Sequence, residues 1–281
     1  MYESEHEQKT ESVKTSRELI SDEEFKNQHR TKPKAFTRMR KLTFSSVMIL
    51  LLQKSQKSLQ LVLNEFYDKL EPVTAGAFTQ ARANLRYTAL IELNQKAVVD
   101  VMYRDNNIQL YKGMRVLAID GSKVLLPQHS SVIKEFGEIA YSNNHPDVQG
   151  SHAYGLASSM YDVLNRISVD SVLGKARDYE VELAVSHHLP HTRDNDLLLF
   201  DRNYASYFLI ALLASLGRKF LIRCSSASFS IARKMLKGEG ADDQIVSLIT
   251  PNWKKCVLTI YPKKSKSVLS ECVWKLANMK Y

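Results

Sequence analysis

Two aspartates that follow short apolar runs are the residues of this sequence best placed to do chemistry. Asp120 comes directly after the apolar run 116–119, and Asp201 comes directly after the run 197–200. A continuous apolar run of this length predicts a strand that is covered on both faces. A carboxylate that follows such a strand is held rigidly at the edge of a core, where catalytic and metal sites are commonly built.

The chemistry of this pair depends on whether the two carboxylates meet. Adjacent carboxylates repel each other unless a cation lies between them, and oxygen-only ligands select Mg²⁺ or Mn²⁺. We therefore predict that Asp120 and Asp201 are catalytic residues and metal ligands. Two ions about 3.5–4 Å apart would support hydrolysis of a phosphodiester. The alternative is that each aspartate only caps a turn, since Asp120-Gly121 and Asp201-Arg202 are turn-like pairs.

The elements around the two aspartates predict that they do meet. The pattern reads as three strands, a helix, a strand, a helix and a strand, which is the βββαβαβ order of an α/β, ribonuclease H-like mixed sheet. In such a core the first and fourth strands lie side by side, so Asp120 and Asp201 become neighbours. The predicted strands cover 115–126, 152–161, 164–173, 194–201 and 219–224, and the predicted helices cover 181–189 and 207–216.

The N-terminal part of the chain has a different pattern. Residues 1–30 are polar and highly charged, so we expect them to be disordered or loosely helical. Residues 31–112 have helical periodicity, with Thr74 as a predicted N-cap. A short helix that carries Gln80 and Arg82, with Arg86 after it, would suit a helix-turn-helix-like DNA reader. An ordinary helical bundle is the alternative interpretation.

Charge indicates nucleic acid as a partner. The chain of 281 residues has a formal net charge of +9, and residues 25–41 carry seven Lys and Arg without an acid. Clustered cations suit a phosphate backbone, although a solvated surface is the plain alternative. We predict that Arg38, Arg40 and Lys41 bind double-stranded DNA. Three cysteines without paired spacing and no apolar run long enough for a membrane span predict a cytoplasmic protein.

Two segments resemble a known family. Residues 115–127, with Asp120-Gly-Ser, and residues 197–204, with Asp201-Arg-Asn-Tyr, are similar to the two Asp motifs of DDE transposases from bacterial insertion sequences. The predicted hairpin, the last strand and the helical region also resemble that family, so the resemblance covers roughly residues 30–250. It implies a ribonuclease H-like fold and two divalent ions. It also implies hydrolysis and strand transfer at transposon ends, with target DNA and a homodimer as partners. Lys123 and Arg202, beside the acids, are predicted to contact phosphate.

The sequence departs from that family at its C-terminal end. The family places a final Glu on a helix in a Tyr-x-x-Arg-Trp-x-x-Glu pattern, and no such pattern follows Asp201. Glu271 is a weak replacement. We therefore predict a catalytic core over 113–235, then a truncated β-rich insertion over 236–281, and impaired catalysis. The alternative function is a non-catalytic DNA-binding protein that occupies transposon ends or regulates transposition.

One further cluster stands out, the three histidines of His187-His188-x-x-His191. This spacing could face a metal ion. A cluster of surface histidines is the more common outcome for such a group at a helix end, and we expect that outcome here.

Overall fold

The computed structural model describes residues 2–38, 41–53, 56–67, 72–104, 108–142, 149–239, 241, 243–248, 256–260 and 275–276. The chain divides into two compact units, Met1–Ile108 and Gln109–Tyr281. Unit 1 is helical and unit 2 contains the sheets. Among the described residues, no helix combines the length and apolarity needed to cross a membrane.

Several helices of unit 1 begin at polar N-cap residues. Thr74 accepts a hydrogen bond from the backbone N–H of Ala77 at 3.2 Å, as its predicted N-cap role requires, and Thr43 and Ser58 cap the two preceding helices in the same way. The helices are α1 (Tyr2–Ser21), α2 (Glu23–His29), α3 (Phe44–Leu52), α4 (Leu59–Phe66), α5 (Ala75–Arg82), α6 (Thr88–Leu93), a π-helical stretch (Asn94–Val99) and α7 (Asp100–Arg104).

The N-terminal thirty residues differ from the expectation of a disordered or loosely helical segment. They form α1 and α2, and Ile20 and Phe25 enter a core with Phe44 and Met48 of α3. The few apolar residues of this segment are concentrated near the junction of the two helices. Burial of this small group against α3 therefore anchors a segment whose composition alone resembles disorder.

Unit 2 is organised around a six-stranded mixed sheet. Its strand order is β2-β3-β1-β5-β6, and β4 also pairs with β3. The predicted ribonuclease H-like order is confirmed by β1, β3, β4, α9, β5, α10 and β6, and the structure adds α8 and β2 between the first two of these strands. The elements are β1 (Arg115–Leu125), α8 (Ser130–Phe136), β2 (Glu138–Ser142), β3 (Gln149–Asp162), β4 (Ile167–Lys175), α9 (Glu180–Leu183), β5 (Asp196–Phe200), α10 (Tyr207–Ser215), β6 (Lys219–Ile222) and α11 (Ser230–Leu236).

Unit 2 also contains short helical turns and a second sheet. A π-helical turn (Ala184–His188) and a 3₁₀ turn (Leu189–His191) continue α9, and a second 3₁₀ turn (Arg202–Tyr204) follows β5. A separate antiparallel sheet contains β7 (Gln244–Leu248), β8 (Cys256–Ile260) and β9 (Lys275–Leu276). That these strands begin a family insertion stays a prediction.

Candidate metal centre

The pairing of β1 with β5 brings the two aspartates together. The strands are parallel, and their register runs from Arg115 opposite Asp196 to Ile119 opposite Phe200. The next residue on each strand is Asp120 and Asp201, respectively. Backbone hydrogen bonding therefore places both carboxylates at the same edge of the sheet, as the strand order predicted.

A buried ion pair fixes this register at the other end of the two strands. Arg115 donates from Nε and Nη2 to the two carboxylate oxygens of Asp196, each at 2.7 Å, and both side chains are buried. Arg115 and Asp196 each lie five residues before an aspartate of the site. A slip by one residue would break the bidentate pair and leave both charges unpaired in the core, which is costly. The ion pair thus stabilises the strand register that places Asp120 beside Asp201.

A third carboxylate joins the pair from α9. Ligand oxygens of Asp120, Glu180 and Asp201 all lie within 4.8 Å of one another, and Glu180 is the first residue of α9. Glu180 packs directly over Gly121, where an added Cβ would lie 2.7 Å from its Cγ and 3.0 Å from its Cδ. Any side chain at the position after Asp120 would therefore displace the side chain of Glu180, and glycine leaves it in place.

Electrostatics show that this cluster suits a cation. Burial, followed by the charges of Asp120 and Asp201, raises the pKa of Glu180, whereas Lys123 and a hydrogen bond from Asn203 act in the opposite direction. Oε2 of Glu180 is buried and has no hydrogen-bond partner within the part of the chain that the structure describes. An unpartnered buried carboxylate oxygen beside two further carboxylates fits a hard divalent ion, which takes oxygen ligands.

The turn-capping alternative applies to one aspartate only. Oδ1 of Asp201 accepts a hydrogen bond from the backbone N–H of Asn203 at 2.7 Å and so caps the 3₁₀ turn. This bond orients the carboxylate. Asp120 does not end its strand, because β1 continues through Gly121 to Leu125 and pairs with β3. Burial of β1 ends at Asp120, so this residue marks the exit of the strand from the core.

Tyr204 is a buried neighbour of the cluster. Its side chain is fully buried, and its ring lies 5.2 Å from that of Phe200. Burial, followed by the charges of Glu180 and Asp120, raises the pKa of Tyr204 well above its ordinary value, so the phenol stays neutral beside the acids. The buried ring pair of Phe200 and Tyr204 therefore places part of the core beside the carboxylates.

The structure also places most of the predicted DNA-binding residues. Lys123 and Arg202 are exposed next to the two aspartates. Arg38 and Lys41 line an open groove of about 660 Å³ in unit 1, together with Lys32 and further residues that include Lys34, Thr74, Gln80 and Asn84. Arg40 and Glu271 lie outside the described residues.

Glu180 was not predicted as a site residue from the sequence. The family pattern places its third acid downstream of the second aspartate, whereas Glu180 precedes Asp201. A signal was available, because Glu180 directly precedes the predicted helix 181–189 between two core strands. The structure brings a third carboxylate to the pair, although none was predicted, and impaired catalysis stays a prediction. The chain order Asp120, Glu180, Asp201 differs from the Asp-Asp-Glu order of the family.

Comparison with known proteins identifies a family. The family described as the transposase DDE domain matches residues 111–250. A solved structure, described as a piggyBac transposase synaptic complex with hairpin DNA, is similar over 92% of this chain, with 13% identity and a TM-score of 0.44. This chain spans 59% of the length of that transposase chain. No curated protein matches.

Proposed function

Since residues 111–250 form a transposase DDE domain, we propose that this protein is a metal-dependent DNA transposase. It hydrolyses a phosphodiester at the ends of an insertion sequence and transfers the freed 3′ end to target DNA. The observation that carries this proposal is the group of three carboxylates whose ligand oxygens lie within 4.8 Å of one another. Three carboxylates repel a phosphate backbone, so the site can accept DNA only after a cation has neutralised their charge.

Asp120, Asp201 and Glu180 would hold Mg²⁺ or Mn²⁺. When bound, the ion polarises the phosphodiester and makes water a better nucleophile. The two aspartates are fixed by strand register, and Glu180 supplies the carboxylate with an unpartnered oxygen. Lys123 and Arg202, both exposed beside the acids, are suited to hold the phosphates that flank the scissile bond.

Unit 1 supplies a surface for the DNA backbone in this proposal. Four cations, Lys32, Lys34, Arg38 and Lys41, line its open groove, and no acid is among the described residues that line it. Each phosphate neutralised by such a side chain releases counterions, so affinity should fall steeply with salt. Two copies of the chain would serve the two ends of an element, in the compartment that holds the DNA, the cytoplasm of a bacterial cell.

The groove can be tested by the salt dependence of duplex binding. Replacing Lys32, Lys34 and Arg38 with Ala should reduce the slope of log affinity against log salt by about 0.9 for each phosphate that the variant no longer neutralises. Lys96→Ala is the matched control, because Lys96 belongs to the same unit but pairs with Glu92 at 2.6 Å. Equal slopes for the triple variant and wild type, measured by fluorescence anisotropy, would remove the groove from the proposal.

Cleavage can be tested without knowledge of the end sequence. The substrate is a supercoiled plasmid that carries the gene with its flanking DNA, and nicking is followed in Mg²⁺, Mn²⁺ or EDTA. Asp120→Asn and Asp201→Asn should each lower the nicking rate by about a hundredfold to a thousandfold, because each removes charge that holds the ion. Asp194→Asn, an exposed acid before β5, is the control.

The same groove supports a second candidate function, a DNA-binding protein that occupies transposon ends without cutting them. Salt-dependent duplex binding by a wild-type protein that shows no metal-dependent nicking would favour this function. Nicking that Asp120→Asn abolishes while duplex binding persists would exclude it.

A further inference from the structure

The histidine cluster leads to a group of side chains that the proposed reaction does not use. His188 is fully buried, so the expectation of a surface cluster is wrong for this residue, whereas its neighbour His187 is exposed. Nδ1 of His188 lies 2.6 Å from a carboxylate oxygen of Asp170 on β4, and Nε2 lies 2.9 Å from the hydroxyl of Ser158 on β3. Both ring nitrogens are therefore engaged by different strands of the sheet.

This arrangement resembles a nucleophile triad but cannot act as one. Ser158 is 1% exposed, so no substrate reaches its hydroxyl. Because a charged carboxylate only accepts hydrogen bonds, Nδ1 of His188 donates to Asp170. Burial disfavours the charge of Asp170, but its hydrogen bond with His188 and the charges of His188 and His191 lower its pKa overall. The hydrogen bonds of His188 with Ser158 and Asp170 instead tie one helical segment to two strands, and we call these three residues the clamp.

The clamp and the carboxylate cluster share one helical segment. Glu180 begins α9, and His188 ends the π-helical turn that continues α9. Opposite them, Gly121 of β1 and Ser158 of β3 are cross-strand partners. Glu180 packs over the first member of this pair and His188 bonds the second. Since cross-strand partners point to the same face of a sheet, both ends of the segment lie on one face.

The start of α9 lacks the usual means of fixing a helix end. Its N-cap, Tyr179, makes no side-chain capping hydrogen bond. Val181 and Ala184 are buried, but apolar packing specifies the position of a helix along its axis only weakly. The hydrogen bonds of His188 are directional and are therefore suited to define that position.

We propose that His188, held by Ser158 and Asp170, is a positioning residue that sets the place of Glu180 in the metal site. This inference rests on the proposed function, because it assumes that Glu180 is a metal ligand. A group that orients a ligand without touching the metal changes metal affinity by about 10–100-fold when it is lost. Through His188, the strands β3 and β4 would thereby influence the metal site.

The test is a double-mutant cycle of Mn²⁺ affinity, measured by isothermal titration calorimetry on the full chain. His188→Phe keeps the ring volume and removes both hydrogen bonds, and it should weaken Mn²⁺ binding about tenfold or more. In a Glu180→Gln background the same change should have less than about a twofold effect, because the ligand that it positions is already lost. His187→Phe is the matched control and should bind Mn²⁺ like wild type.

Three outcomes would overturn the inference. Equal weakening by His188→Phe in both backgrounds would indicate general loosening of unit 2, and unchanged affinity in the Glu180-containing protein would show that the clamp does not act on the site. If His188→Phe fails to fold, Ser158→Ala removes one hydroxyl and is judged by the same cycle. Wild-type affinity in Asp120→Asn would instead overturn the proposed metal site, and the inference with it.

Discussion

The sheet and the helix hold the same carboxylate cluster by different means. Asp120 and Asp201 take their positions from the backbone, because β1 and β5 are paired in register and a buried ion pair secures that register. Glu180 takes its position from side chains, namely the space above Gly121, the hydrogen bond from Asn203 and, as proposed, the clamp at His188. Backbone register tolerates little adjustment, whereas a helix that rests on a sheet can shift. The contrast predicts that the two sides of the site fail in different ways.

The largest effect is expected from the ion pair behind the aspartates. Arg115→Met leaves Asp196 charged and unpaired in the core, which should lower the free energy of unfolding by about 3–5 kcal/mol. The double variant Arg115→Met/Asp196→Leu removes both charges and should recover most of this loss. Urea unfolding followed by circular dichroism measures both changes.

Mn²⁺ affinity of the same variants would show whether the ion pair positions the two aspartates or only stabilises the fold. If the double variant regains stability but its Mn²⁺ affinity stays low, the ion pair specifies the level of the aspartates as well as stabilising the fold. A single variant as stable as wild type would contradict the role of the pair in the sheet.

A smaller effect is expected on the helix side. Gly121→Ala introduces a Cβ at 2.7 Å from Cγ of Glu180, so the glutamate must move away from the two aspartates. We expect about tenfold weaker Mn²⁺ binding. The thermal midpoint should change little, because only one flexible side chain is displaced. Ser122→Ala, at the next and exposed position of β1, is the control.

The Gly121→Ala variant has two outcomes that would count against this role. Full Mn²⁺ affinity in a folded Gly121→Ala protein would show that Glu180 is not held where the site needs it. A large loss of stability would instead show that Gly121 is needed for the stability of the sheet.

The smallest effect concerns pH in the absence of metal. Burial and the neighbouring aspartates raise the pKa of Glu180 above its ordinary value of 4.5. The folded protein therefore holds this proton more tightly than the unfolded chain. The resulting stability is fully present below pH 4.5 and is lost as the pH rises through the raised pKa.

Urea unfolding in EDTA over this pH range measures the effect. Glu180→Gln should flatten the decline, because the variant side chain carries no titrating proton. Saturating Mn²⁺ should flatten it in wild type, because the ion stabilises the charged carboxylate. An identical pH slope in wild type and Glu180→Gln would contradict the assignment of this proton to Glu180.

The same contrast explains what the sequence could predict. Apolar runs that end in Asp120 and Asp201 report the strands and their order, since burial on both faces leaves a direct trace in composition. The burial of Glu180 and His188 is not visible in composition, because an acid at a helix start and a histidine at a helix end are usually surface residues. Their burial depends on where the helix lands on the sheet, which is a tertiary property.

The helices of the N-terminal region, and which residues of unit 1 are buried, could not be predicted from the sequence pattern either. The predicted helical periodicity of residues 31–112 is interrupted by the π-helical stretch Asn94–Val99, which widens one turn. In this helical segment Ala89 and Val99 are buried, whereas Leu90 is exposed and Val98 is half-buried. A regular 3.6-residue period cannot anticipate such an interruption.

The most direct measurement is metal-dependent nicking of a supercoiled plasmid by Glu180→Gln, with Glu182→Gln as the matched control. Glu182 lies two residues further along α9 and is exposed. We predict that Glu180→Gln nicks at least about a hundredfold more slowly than wild type in Mn²⁺, while Glu182→Gln remains active. Wild-type nicking by Glu180→Gln would contradict the central claim that the site is completed by a carboxylate between the two aspartates in sequence.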